Sequence, residues 1–355
     1  MIGALPARFR QPRIGLVGFG DIGRRILSQR VKAATTTTCG ILPARLVCVA
    51  RGLARPAATA EDPEQAILLG RDLKARRSLA GRQIVLLGWD LDSPEACQRL
   101  ARVLTHWVVL FPPGESHTQP HERHLADHPA AGAKVPRPRD IRSRRLAMAL
   151  AISQGVRGLR RGPSARGLYI STTGVYGDHH GARIHETGRC LTRQPRSLRR
   201  LDAESVWRGL GFHVLRVPGI TTEETLPVDR IKAGARMLRA EDDIFTNHIH
   251  ADDLAEICWK AIWRGRRGRL TNAVCGGSMP LGDYYDTVAD AARLPRPPRL
   301  SRSAWTEAVA RGDISPMTAS FMQDSRRVES RRLANELKVR LRYPTIADIV
   351  RARFG

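Results

Sequence analysis

The chain has 355 residues, 42% of them hydrophobic and 5% aromatic, and carries a formal net charge of +25. That length accommodates a core domain with a smaller partner, and no apolar run approaches the ~20 residues of a membrane-spanning helix, which argues against an integral membrane protein. Six cysteines (Cys39, Cys48, Cys97, Cys190, Cys258 and Cys275) are scattered without the short spacings of a zinc site, a redox pair or a disulfide scaffold.

Residues 1–12 contain arginines but no apolar stretch of signal-peptide length, so a soluble protein of the reducing cytoplasm is expected. Six of the 59 basic side chains are lysines and the rest arginines. So positive a chain attracts polyanions. Its basic residues form no separate tail or helix, however, and their spread reads as arginine replacing lysine over a solvated surface. Nucleic acid is therefore not the expected partner.

Residues 13–18 (RIGLVG) predict a strand ending in a glycine turn, and the residues after Gly20 predict a helix. Further strands are predicted at 45–50 (RLVCVA) after a four-threonine loop, at 83–88 (QIVLLG) after a charged helical stretch, and at 107–111 (WVVLF). Strands alternating with helices imply an α/β fold: a Rossmann-type, doubly wound parallel sheet with right-handed crossovers and helices on both faces. Residues 112–140, rich in Pro, Gly and His, predict a long loop insertion. Within it His117, His121, His124 and His128 fall at helical spacing and can in principle bind zinc or nickel. A solvated insertion is the commoner case, and its place at the carboxyl end of the sheet suits a lid.

A helix is predicted over 141–154, a fifth strand at 167–171 (GLYIS), a helix at 197–209, and a strand at 213–217 that stops at Pro218-Gly219. Beyond it the elements shorten. We therefore expect a dinucleotide-binding domain over 13–217 and a smaller substrate-binding region over 218–355, of which 241–265 returns to the first domain.

The turn Gly18-Phe19-Gly20-Asp21-Ile22-Gly23 carries the GxGxxG pattern in the strand-turn-helix setting that binds dinucleotides. Gly18 permits the bend, Gly20 lets the backbone approach a pyrophosphate, and Gly23 lets helix and strand pack closely. The N–H groups and dipole of the helix from Asp21 then hold the phosphates. At the end of the second strand an acidic residue would bind the ribose hydroxyl of NAD. This chain has Arg51, which suits the 2′-phosphate of NADP; NAD is the alternative. After the third strand, Asp90 can hydrogen-bond the adenine, while Ser93-Pro94-Glu95 reads equally as a helix cap.

Four segments, GFGDIG (18–23), YISTTGVYGD (169–178), RRLDAE (199–204) and NHIHADDLA (247–255), make the chain resemble an atypical, extended member of the short-chain dehydrogenase/reductase superfamily, of the NAD-dependent epimerase/dehydratase kind. The resemblance implies a nicotinamide beyond strands four and five, near Pro112, and a catalytic hydroxyl at Thr172, with Thr173 sharing the task. It implies also that His248 and His250 are structural, with the following aspartate capping a helix. The family's catalytic Tyr and Lys fall on Arg196 and Arg200. Guanidinium stays protonated, so neither arginine is a general base, although either can clamp an anion or dock the nicotinamide ribose. Tyr176 is the substitute phenol, with Arg200 nearby to lower its pKa.

Two functions follow. One is an NAD(P)-dependent oxidoreductase or epimerase-like enzyme acting on a polar, anionic substrate such as a nucleotide sugar, whose phosphates meet Arg196, Arg200 or Arg216. The other is a non-catalytic NAD(P)-binding redox sensor. A homodimer is a possible assembly, and no metal is expected.

Overall fold

The computed structural model describes residues 11–36, 44–51, 84–114, 138–153, 166–315, 319, 322 and 324–355. The histidine-rich run from His117 to His128 and the charged stretch ahead of the third strand lie outside these residues. The central strands are β1 (Arg13–Val17), β2 (Arg45–Val49), β3 (Ile84–Leu87), β4 (His106–Val109), β5 (Arg166–Thr172), β6 (His213–Val217) and β7 (Leu270–Asn272). They form one seven-stranded sheet in the order β7-β6-β5-β4-β1-β2-β3. The pairs β1/β2, β1/β4, β2/β3 and β4/β5 run parallel, with Leu16 opposite both Cys48 and Val108.

This is the doubly wound order, and it reverses between β1 and β4, where ligands of such sheets bind. The predicted strands agree with those observed to within one or two residues because most are apolar runs, β6 with its interior Arg216 being the exception. A parallel strand covered on both faces must be apolar throughout. Ile14, Leu16, Val17, Leu46, Cys48, Val49, Trp107, Val108 and Val109 are all buried. Edge strand β3 is more exposed, with Val85 at 40%.

Helices follow the strands. Helix α1 spans Asp21–Thr36, so the first two threonines of the expected loop finish the helix instead. Helix α2 (Pro94–Val103) is capped by Ser93, whose hydroxyl accepts from Ala96 N at 3.2 Å, with Pro94 at the first helical position. Helix α3 (Ile141–Ser153) is capped by Asp140, whose Oδ1 accepts from Ser143 N and, across the insertion, from Gly114 N at 2.8 Å. Helix α4 covers Pro195–Gly209, and α5 covers Ala251–Arg264.

The chain divides into two compact units. The first comprises residues up to Ser171 together with Leu198–Val214 and Cys258–Arg269; the second comprises Thr172–Ser197, Leu215–Ile257 and Leu270–Gly355. The second unit is built of strand pairs two or three residues long: 219–221 with 248–250, 183–184 with 327–328, 237–238 with 299–300, and 245–246 with 279–280. Its apolar clusters centre on Trp305, Ile244 and Leu238, and on Tyr176, Ile184 and Val328. No helix among the described residues is long and apolar enough to cross a membrane.

Candidate functional site

In the first unit the three glycines of the β1–α1 turn do three different things. Gly18 has φ +91°, and a Cβ there would lie 2.5 Å from Phe111 N, so both its conformation and its neighbour demand glycine. A Cβ on Gly23 would stand 2.8 Å from the Phe19 ring of the turn and 3.4 Å from Leu110, just past β4, so glycine lets the start of α1 lie close to both. At Gly20 a Cβ would meet nothing nearer than Gly18 O at 4.0 Å. The protein itself therefore has room for a side chain at Gly20, and the space over it is open to a ligand. Gly18 N and Phe19 N both donate to Val49 O at 3.0 Å, which anchors the turn to the end of β2. The N–H groups of the first turn of α1, where Asp21 and Ile22 stand, have no acceptors inside the helix.

Arg51 lies just past β2, 65% exposed, with Nε 3.6 Å from Asp90 Oδ1 and Nη2 3.8 Å from Asp92 Oδ2. Asp92 is held far more firmly by the Arg142 fork, with Nε donating to Oδ1 at 2.9 Å and Nη2 to Oδ2 at 2.8 Å. The hydrogen bond from Arg142 keeps the Asp92 carboxyl below its ordinary range. Asp90 also accepts from Asp92 N at 2.9 Å, so it shapes the turn that leads into the Ser93 cap. Pro112 presents its carbonyl to Arg142 Nη1 at 3.4 Å.

Arg200, on α4, donates from Nη1 to Ile170 O at 2.9 Å, to the Tyr169 hydroxyl at 3.1 Å and to Phe111 O at 3.4 Å. It thus plants a fixed positive charge at the carboxyl ends of β4 and β5. Tyr169 is fully buried and its phenol is pushed up by that burial. Ser171 donates to buried Glu204 Oε1 at 2.6 Å, a pairing that gives the RRLDAE segment its function in the fold.

In the second unit, Thr172 caps the short 3-10 turn Thr173–Tyr176 by accepting from Gly174 N at 3.1 Å. Thr173 is buried and Thr172 half-buried. The Tyr176 hydroxyl has Asn272 Oδ1 at 2.8 Å and His185 O at 3.2 Å as acceptors. Burial is the larger influence on its phenol and raises it. The guanidinium beside Tyr176 is that of buried Arg216, 4.6 Å over the ring. Arg196 is exposed in the first turn of α4.

No protein-family model matches this chain, and no curated protein matches it. Solved structures do. A conserved protein of unknown function from Silicibacter pomeroyi is 23% identical over 97% of this chain and 98% of its own, with a TM-score of 0.60. The dTDP-glucose 4,6-dehydratase of Streptomyces venezuelae, solved with NAD bound, is 16% identical over 96% of each chain, with a TM-score of 0.61. The UDP-glucose 4-epimerase of Thermotoga maritima, solved with UDP-glucose, is 12% identical over 97% of this chain and 98% of its own, with a TM-score of 0.59. The fold is that of the extended epimerase/dehydratases.

On this epimerase/dehydratase fold the NHIHADDLA segment is structural machinery of the second unit. Buried His248 holds Thr221 Oγ1 at 2.8 Å and Thr246 Oγ1 at 2.9 Å through its two ring nitrogens. The cap of α5 is His250, whose Nδ1 accepts from Asp252 N at 3.2 Å. The expected aspartate cap is thus replaced: Asp253 accepts instead from Arg342 N at 2.7 Å and Tyr343 N at 2.9 Å. Among the described residues no group of three His, Cys, Asp or Glu side chains is placed to hold a metal ion.

His248 supplies a pH test. Burial pushes its imidazole down from 6.5 to about 4, so between those values the unfolded chain binds a proton that the folded chain does not. Stability is full above 6.5 and falls as pH drops toward 4. Urea unfolding is expected to show the second unit about 2 kcal/mol less stable at pH 5 than at pH 7 through this group, and His248→Asn to flatten that slope. An unaltered slope in the variant would assign it elsewhere.

Sequence reasoning missed Glu186. Its buried carboxylate accepts from Ser330 Oγ at 2.9 Å, from Arg331 N and Arg332 N at 3.2 Å, and from Asn272 N at 3.4 Å. Its partners lie 86 to 146 positions away, and all but Ser330 are backbone groups, so no local pattern announces it.

Proposed function

We propose that the first unit binds a nicotinamide dinucleotide, with the pyrophosphate over Gly18, Phe19, Gly20, Asp21, Ile22 and Gly23. The open space at Gly20, where the fold itself tolerates a Cβ, is the observation that carries this reading. The dinucleotide when bound supplies a hydride acceptor or donor. Arg51 is the residue for the 2′-phosphate of NADP: its contacts at 3.6 and 3.8 Å with exposed carboxylates are worth at most ~1 kcal/mol and are readily exchanged for a phosphate. Asp90 and Pro112 border the same end and rim of the sheet, and NAD is the alternative cofactor.

The activity we infer is that of an oxidoreductase or epimerase-like protein acting on a nucleotide sugar or a similarly polar anion, without a Tyr-Lys pair. The similar structures that are named as acting on such substrates support it, as does the exposed Arg196. Half-buried Thr172 is the hydroxyl assigned to a reacting oxygen, with the buried Thr173 next to it in the chain. Arg200 is a positioning charge, since three protein oxygens already hold it. Tyr176 is a poor proton carrier, because its phenol is committed to Asn272 and raised by burial.

That last observation favours a second reading, a redox sensor that binds NAD(P) without chemistry. Both are tested by fluorescence titration with NADPH and NADH, followed by an assay for cofactor consumption with a nucleotide sugar present. Arg51→Asp is expected to weaken NADPH by about 10- to 100-fold, the value of one charge-assisted contact, while sparing NADH. Equal losses for both cofactors would remove Arg51 from the ribose site. Binding without consumption would select the sensor.

A further inference from the structure

The amino-terminal ends of the first unit's strands, opposite the glycine turn, border a cavity of about 630 Å³ that the cofactor reading leaves unused. Arg166, the first residue of β5, and His213, the first of β6, line one side. Trp263 near the end of α5 and the turn Gly265–Arg267 line the other. Gly167 and Gly265 bring its walls close together: a Cβ on Gly167 would lie 2.1 Å from the Phe212 ring, and one on Gly265 would lie 2.9 Å from the His213 side chain. His213 Nδ1 donates to Arg266 O at 3.3 Å and so pins the turn that carries two of the arginines.

The charge of this cavity is one-sided. Arg166, Arg266 and Arg267 line it, and no carboxylate is among its described lining residues. The carboxyl end of α5 contributes roughly half a negative charge, against the full positive charges of Arg166 and Arg266. The Trp263 indole adds an aromatic wall, tilted against His106 at 5.1 Å and edge-on to Trp259 at 5.8 Å.

We propose that this cavity is a second ligand site, which takes a nucleoside monophosphate. Arg166 and Arg266 offer paired N–H donors to the phosphate, a geometry that lysine lacks. Trp263 offers a face on which a base stacks. The volume falls in the range of small-ligand pockets, roughly 300–1,000 Å³, and suits one nucleotide. No lining residue belongs to the glycine turn, so this site stands or falls apart from the cofactor reading.

The test is calorimetric titration of the full chain with 5′-GMP, with and without saturating NADPH. We expect one GMP per chain in both conditions, with an affinity lowered by roughly 30-fold or more in Arg166→Glu/Arg266→Glu, as the loss of two charge-assisted contacts requires. Both arginines are exposed, so the double variant should keep the wild-type circular dichroism spectrum. Trp263→Phe should retain binding and Trp263→Ala weaken it, whereas Gly20→Ala should leave it unchanged. Absence of GMP binding, affinity indifferent to the two arginines, or affinity lost with Gly20 would each overturn the site. So would a single-stranded oligonucleotide that binds through the same arginines much more tightly than GMP.

Discussion

Gly20→Ala should lower the affinity for NADPH by about 100-fold or more while leaving the unfolding midpoint unchanged or slightly raised. The two halves of this expectation have separate causes. Gly20 does not need the left-handed conformation, and a Cβ there reaches only Gly18 O at 4.0 Å, so the folded protein accepts the methyl group. Removing glycine also restricts the unfolded chain, which typically stabilises by about 0.4–1 kcal/mol. A phosphate drawn onto the N–H groups of the turn must approach the backbone at about 3 Å, and the methyl group occupies that approach. A hundredfold loss corresponds to about 2.7 kcal/mol, within reach of one displaced charged group and its hydrogen bonds. Fluorescence titration and thermal denaturation on the same sample read both halves. Undiminished affinity would mean that no phosphate lies over Gly20. Lost stability would mean that glycine serves the fold there, as it does at Gly18, where φ is +91° and Phe111 N blocks a side chain.

The first unit was legible because its signals are local. Strands β1, β2 and β4 are continuous apolar runs, as burial on both faces requires, and the glycine pattern sits at the end of the first of them. Ser93-Pro94 marked the start of α2 for the same reason: a cap needs only its own next three residues. The second unit was scarcely legible. A strand such as 183–184 is too short to show alternation, and it pairs with 327–328 across more than a hundred residues. The hydroxyl cluster was found, but not the partners of its members. Ser171 turns to Glu204, Thr172 to its own 3-10 turn, and Tyr176 to Asn272 and Arg216. Each choice depends on which distant segment comes to rest against the cluster. Neither propensity nor spacing records that.

Glu186 shows the same limit with the largest consequence for stability. Its carboxylate is the common acceptor for a serine hydroxyl and three backbone N–H groups, those of Asn272, Arg331 and Arg332. Asn272 in turn donates to Glu329 O at 2.8 Å and accepts from Tyr176, so β7, the 329–332 segment and the Tyr176 wall converge on one side chain. In Glu186→Ala these buried donors lose their acceptor, at about 1–3 kcal/mol for each one that water does not reach. A total loss of about 3–5 kcal/mol is expected, the magnitude seen when one member of a buried charged network is removed. Glu186→Gln keeps one carbonyl acceptor but turns an amide N–H toward other donors, so it should fall between wild type and alanine. Urea unfolding followed through the near-ultraviolet signal of the aromatic residues reads the effect. A change below ~1 kcal/mol would mean that water takes the carboxylate's place, as a polar cavity open to solvent allows. A large change with NADPH affinity intact would identify Glu186 as the tie that holds the second unit together independently of the glycine turn.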